Sequence, residues 1–239
     1  GEFYQLDMEM AFAGQDDVFG VIEDVFPPIF AKYGLYNRAS TAPFKRIPFV
    51  EAMEKYGSDK PDTRFDIELV KLNDLFEDCG FELFTKTLAE GGDIRGICVP
   101  GGAEEFSRKK IDKLVSEVKH YGAKGLITIK YEGSEITSSI SKFFSEEEMK
   151  AIMDRFGAKS GDMVFIVSDA PKVTYDSLGF LRRRIAGMMG LLDDDQYNFL
   201  WVVDFPMFEQ DEEGNIKAMH HPFTQPKLDE LDKLDTDIL

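Results

Sequence analysis

Along residues 2–12, EFYQLDMEMAF, apolar Leu6, Met8, Met10 and Phe12 alternate with Gln5, Asp7 and Glu9. A period of two predicts a β-strand whose one face joins a core while the other carries an amide and two carboxylates, about 7 Å apart along the strand. The next segment changes period: Val18, Ile22, Val25, Phe26 and Ile29 have amphipathic helical spacing, opened by acids and closed by Gly34. Pro27 and Pro28 lie inside that pattern, and because proline removes a helical N–H and crowds the preceding turn, they predict a kink or break near Phe26. A proline-rich stretch with the turn GSDKPD follows, reading as a structured loop around one short helix at 49–56.

From about Phe65 the pattern shortens into alternating elements. Strands are predicted at 81–87 and 93–99, then a helix capped by Ser107 with Ile111, Leu114, Val115 and Val118 on its apolar face, then the strand GLITIKY. EITSSISKFF fits more than one element. Ser145 and Glu148 form a capping-box pattern on a helix ending at Gly157, followed by the apolar strand MVFIVSD and the helix YDSLGFLRRRIAGMMGLL. These make a compact α+β unit of roughly a hundred residues. Afterwards NFLWVVDFPMFE reads as a buried strand, QDEEGN as a turn and IKAMHH as the returning hairpin partner, ended by Pro222; the acidic tail is weakly helical.

Composition narrows the classes. The 239 residues are 43% hydrophobic and 13% aromatic, enough for a packed core, without an apolar run of membrane-spanning length or a signal-peptide pattern at the start. A net charge of −17 argues against a protein that coats DNA or tracks phosphates generally. Two local basic stretches, SRKKIDK and LRRRIAG, read either as solvated helix sides or as RNA contacts. Cys79 and Cys98 are too few for a disulfide framework or a zinc site, and Cys98 in GICVP reads as a buried thiol in a reducing compartment.

Two of the three histidines are adjacent, His220 and His221. On a strand they point to opposite faces, so they cannot share one metal ion, and a strand histidine is commonly a hydrogen-bonded structural residue. Asp204 interrupts the apolar run WVVDFP, however, and two polar strand faces, QLDME and AMHH, occur in one chain. Carboxylates opposite an imidazole would suit a small zwitterion, acids taking its ammonium group and histidine its carboxylate.

GEFYQLDMEMAF, EAMEKYGSDKPDTRF, ICVPGG, YGAKGL, NFLWVVDFPMFE and AMHHPFT, in this order and over the whole length, resemble the bacterial-type aspartyl-tRNA synthetases, a class II family. The resemblance implies an α+β protein: part of a class II antiparallel catalytic sheet with a compact GAD-type domain inserted. It implies a first part of the catalytic core at 1–66, with 2–12 as the second strand of motif 2, the insertion at 67–194, and a return to the core at 195–239. Carried onto this sequence, Asp7 takes the aspartate ammonium group and His220 contacts the amino acid; Gln5 and Glu9 share the Asp7 face, and His221 is structural. Continuous helix is usual in the family where Pro27 and Pro28 stand.

The family forms aspartyl-adenylate from L-aspartate and ATP, with magnesium and arginines neutralising charge, then passes the aspartyl group to transfer RNA. The motif 2 arginine, motif 3 and the anticodon-binding barrel have no counterpart in these residues, so the resemblance implies a central, inactive piece of a cytoplasmic ligase, of a bacterium or an organelle. ATP and magnesium are then expected in the parent and not on this piece, and the parent is expected to be a homodimer with no membrane or DNA partner. The other reading is an insertion module that binds transfer RNA or protein without catalytic role.

Overall fold

The computed structural model describes residues 1–34, 38–211, 213–221 and 224–235. Pro222, expected to end the last strand, lies outside the described residues. Residues 1–12 are in neither helix nor strand and are exposed, so the strand predicted there is not formed. Alternation sets the two faces of a strand, but its backbone groups still need a neighbour, and among the described residues no strand lies beside this segment.

α1 (Gln15–Tyr33) is one uninterrupted helix with Pro27 and Pro28 inside it, which corrects the expected break near Phe26. The Asp17 carboxylate accepts from Gly14 N at 2.8 Å and caps its start. Aromatic contacts hold it on both sides of the prolines: Phe19 stacks on Trp201 at 4.1 Å, Phe26 meets Phe199 edge-on at 5.7 Å, and Phe30 meets Tyr197 and Phe199 at 4.8 Å each. This packing offsets the lost helical hydrogen bonds. β1 (Arg38–Ala39), β2 (Lys45–Pro48) and α2 (Phe49–Tyr56) follow, α2 closing on Gly57 in the left-handed conformation at φ 63°.

The central unit runs β3 (Leu69–Lys71), α3 (Asn73–Phe76), α4 (Glu82–Ala89), β4 (Asp93–Val99), α5 (Gly102–Glu105), α6 (Arg108–Val118), β5 (Ile127–Glu132), β6 (Glu135–Ser138), α7 (Glu146–Arg155), β7 (Met163–Asp169) and α8 (Pro171–Met188). Its five strands form one antiparallel sheet in the order β3-β4-β7-β5-β6. Ile97, Val99, Phe165 and Val167 face a core closed by Leu114 and Val118 of α6 and Leu178, Leu181 and Ile185 of α8. Ile94, Ile129, Val164 and Ile166 face a second core with Phe76, Phe84, Met149 and Ile152. A strand covered on both faces needs apolar residues at every position, which is why MVFIV is continuous rather than alternating. The Ser145–Glu148 capping box forms as expected.

Of residues 81–87, expected as a strand, 82–87 belong instead to helix α4 and Phe81 is its N-cap. Phe81, Phe84 and Leu88 are the positions that pack into the second core, a spacing of three and four that a helix satisfies. Phe84 N and Thr85 N both donate to Phe81 O, closing its first turn.

After α8 the chain returns through β8 (Gln196–Tyr197) and β9 (Leu200–Val203), which pair in parallel with β1 and β2. Ile47, Ala52 and Tyr56 pack there against Leu200 and Val202, and Glu23 Oε1 accepts from both Phe44 N (3.0 Å) and Trp201 Nε1 (2.8 Å). The single strand expected for NFLWVVDFPMFE is two: β9 stops before Asp204, which adopts φ 58°, and β10 (Phe208–Gln210) starts a new hairpin with β11 (Ile216–Ala218). A left-handed residue and Pro206 both interrupt a ladder. Leu228–Asp235 is a 3₁₀ helix.

Arg182 fixes the central unit to its flank. It is 1% exposed, although the sequence allowed LRRRIAG to be a solvated or RNA-facing side. Its Nε donates to Ile67 O at 2.7 Å and its Nη1 to Asp62 O at 2.9 Å, with Tyr56 and Phe65 against its guanidinium at 5.0 and 4.4 Å. Burial pulls its pKa down to about 10. Buried Arg95 makes a second tie, its Nε donating to Asp93 at 2.6 Å and its Nη1 to Glu54 O of α2 at 3.1 Å.

Candidate functional site

A cleft of about 560 Å³ opens where β9 ends, and His220 and residues 202–208 form its wall. Residues 224–227, Glu230 and Lys233 form its other side. The backbone explains the placement of His220. The β10–β11 hairpin is extended by Met219 N donating to Met207 O at 3.0 Å, which brings the following residue back beside Phe205. The His220 and Phe205 rings meet edge-on, centroids 5.2 Å apart at 83°.

His220 is half-buried, and its Nε2 is fully buried without a hydrogen-bond partner. A buried polar atom left unpaired costs about 1–3 kcal/mol, so such an atom beside a cleft marks a place for a ligand group. His220 and His221 both lie past the end of β11, in a bend and after it, so the strand alternation expected to separate them does not operate here. Burial separates them instead, since His221 is exposed. Among the described residues no group of three or more His, Cys, Asp or Glu is placed to hold a metal ion.

The cleft's charged groups are paired with each other. Asp204 Oδ1 holds Lys227 Nζ at 2.6 Å, raising the lysine pKa, and Glu230 holds Lys233 at 3.2 Å. The Asp204–Lys227 bridge joins the end of β9 to the segment after the hairpin. The interruption WVVDFP pointed to Asp204 in the sequence; nothing in the local pattern pointed to Lys227, which lies 23 residues away.

The structure does not bring the sequence-predicted carboxylates to this cleft. Asp7, Gln5 and Glu9 are exposed and absent from its walls, and Asp7 accepts from Gln5 Nε2 at 2.5 Å. Phe3, Leu6, Met8, Met10 and Phe12 on the same segment are all exposed as well.

Comparison with known proteins places this geometry in context. Residues 84–178 match the family described as GAD domain, which spans α4 to the first half of α8. An aspartate–tRNA(Asp/Asn) ligase of Hydrogenobaculum sp. is 47% identical over 234 residues, 98% of this chain. The aspartate–tRNA(Asp/Asn) ligase of Natranaerobius thermophilus is 44% identical over 237 residues, and the aspartate–tRNA ligase of Ruminiclostridium cellulolyticum 49% identical over 239, each covering 99% of this chain. The chain spans 39–40% of the length of these relatives. A GAD domain thus lies at the centre of the chain, and the similarity to aspartate–tRNA ligases runs through both flanks, over 98–99% of its residues.

Proposed function

We propose that the protein attaches L-aspartate to transfer RNA through aspartyl-adenylate, and that this chain supplies part of the amino-acid pocket, with the catalytic core at 1–66 and 195–239 and the insertion at 67–194. The observation that carries the reading is the buried, unpartnered Nε2 of His220 at the cleft wall. A protonated Nε2 there donates to the carboxylate of the substrate. Asp7 takes its ammonium group, with Gln5 and Glu9 beside it on the same face.

This role requires residues 1–12 to lie as a strand beside neighbours that these described residues do not include. The apolar alternate face, Leu6, Met8, Met10 and Phe12, is exposed and supports such a docking. Desolvating the pocket in that way would strengthen both contacts with the substrate.

ATP would supply the adenylyl group in this reaction, its α-phosphate bonding to the aspartate carboxylate as pyrophosphate leaves, with magnesium as counter-ion. The cleft described here does not fit them: its two lysines are tied to Asp204 and Glu230, and the described residues hold no metal-binding cluster. The residues of this chain therefore bind and orient the amino acid, and no step is assigned to the metal. The 239-residue chain alone is expected to give no aspartate-dependent pyrophosphate exchange. In the whole protein, His220→Ala should raise the KM for aspartate at least tenfold and leave the KM for ATP within about twofold, one lost charge-assisted hydrogen bond being worth about 1.5–3 kcal/mol. An unchanged aspartate KM overturns the reading.

A further inference from the structure

Among the described residues of this acidic chain, many lysines and arginines hold a carboxylate; of those that do not, Lys32, Lys45, Lys71, Lys142 and Lys159 are scattered over separate elements, while four stand together on and just after α6. Lys55, Lys86, Lys130, Lys150, Lys172 and Arg155, on the helices and strands around the molecule, each hold a carboxylate within 4 Å. On and just after α6, Arg108, Lys109, Lys113 and Lys119 are exposed and, among the described residues, hold none. Residues 107–124 contain six Lys or Arg against Asp112 and Glu117, a local net charge of +4 in a chain of −17. Glu117 is itself neutralised by Arg184 at 3.0 Å, which leaves Asp112 as the one unpaired acid in that stretch.

The fold aims these charges outward. Leu114 and Val118 are fully buried against the sheet and orient the helix. Lys109 and Lys113, four residues apart, therefore share one ridge of the outer face, and Lys119 continues from the helix end. Beyond it Tyr121 is 41% exposed, its ring stacked on Phe180 at 4.7 Å and 25°. A row of unpaired cations ending in a braced, exposed aromatic ring matches a polyanion carrying flat bases: phosphates on the lysines, a base or ribose on the tyrosine.

We propose that the outer face of α6, through Arg108, Lys109, Lys113, Lys119 and Tyr121, docks the backbone of an RNA. The partner follows from the reading of the protein as a ligase acting on transfer RNA, and this surface shares no residue with the lining of the amino-acid cleft. Keeping these four cations together without acids costs self-repulsion that a bound polyanion would relieve.

The test is fluorescence anisotropy of labelled transfer RNA titrated with the 239-residue chain at several salt concentrations. The Lys109→Glu, Lys113→Glu double variant should bind at least tenfold more weakly, with its log–log salt slope smaller by about two. Lys150→Glu serves as a control on α7, which covers the opposite face of the sheet, and should leave affinity within about twofold. Tyr121→Ala should weaken binding without changing the slope. No RNA binding by the parent chain at low salt, equal loss in the α6 and Lys150 variants, or full binding by the α6 double variant overturns the proposal. His220→Ala is expected to bind RNA as the parent does, so a failure of the amino-acid pocket and a failure of this surface are read separately.

Discussion

Gly179 of α8 and Gly57 at the end of α2 meet backbone to backbone: a Cβ built on Gly179 would stand 2.9 Å from the Gly57 carbonyl carbon, and one on Gly57 2.9 Å from Gly179 N. At this point the central unit and its flank approach more closely than side chains allow. Gly57 also needs its left-handed φ of 63°. Gly179→Ala would gain helix propensity of about 1 kcal/mol, yet it must push α2 away from α8, an overpacking cost of about 1–3 kcal/mol or more. A net destabilisation in urea unfolding is expected, with new proteolytic cleavage between residues 57 and 67. A variant as stable as the parent would show that the crossing is loose.

Asp62 carries the neighbouring joint. Burial favours its neutral form, but hydrogen bonds from Arg64, at 2.9 and 2.8 Å to its two oxygens, outweigh that and lower its pKa. A carboxyl whose folded pKa lies below the unfolded value near 3.8 contributes stability that is complete above that value and lost as pH falls through the folded one. The parent should therefore lose stability below about pH 4 more steeply than Asp62→Asn. Urea midpoints between pH 2.5 and 6 measure this, and parallel curves would remove Asp62 from the acid response.

Cys98 should be nearly inert. Its Sγ lies half-buried on β4, and burial followed by the nearby charge of Asp162 pushes its pKa from 9.0 to about 12. Three units reduce the thiolate fraction at neutral pH about a thousandfold. In a Cys79→Ser background, labelling by a disulfide reagent should be slow in the native chain and rapid in denaturant. Fast native labelling would contradict the burial of this strand.

The central unit was legible in the sequence because its elements bury regular faces. MVFIVSD, the Ser145–Glu148 box and the Leu114–Val118 stripe each carry a local signal that tertiary packing reinforces. The misreadings have one cause, local patterns whose outcome depends on distant partners. Phe81 to Thr87 alternates well enough for a strand, but Phe84 is claimed by Phe76 at 4.4 Å in a helical register. The two prolines of α1 would break an isolated helix, and Phe199 and Tyr197, some 170 residues away, hold it. Arg182 looked like surface charge because no sequence pattern shows the carbonyls of Ile67 and Asp62 waiting for it. Of the candidate site, His220 does line a cleft, but the strand alternation invoked to separate it from His221 does not operate, since both lie beyond β11.

Asp204 sets the cleft wall. Its φ of 58° turns the chain out of β9 and presents Phe205 to the His220 ring, while its carboxylate holds Lys227 at 2.6 Å. Two contributions separate by substitution. Asn tolerates the left-handed region and removes the charge, and because an ion pair this exposed adds little, Asp204→Asn should change stability by less than about 1 kcal/mol. Val is β-branched and disfavours the same φ, so Asp204→Val should cost about 1–3 kcal/mol. It should also move Phe205, seen as a shift of the His220 ring-proton resonances that Asp204→Asn does not produce. If the two variants behave alike, the ion pair and not the backbone turn shapes this wall, and the segment around Lys227 becomes the element that holds His220 in place.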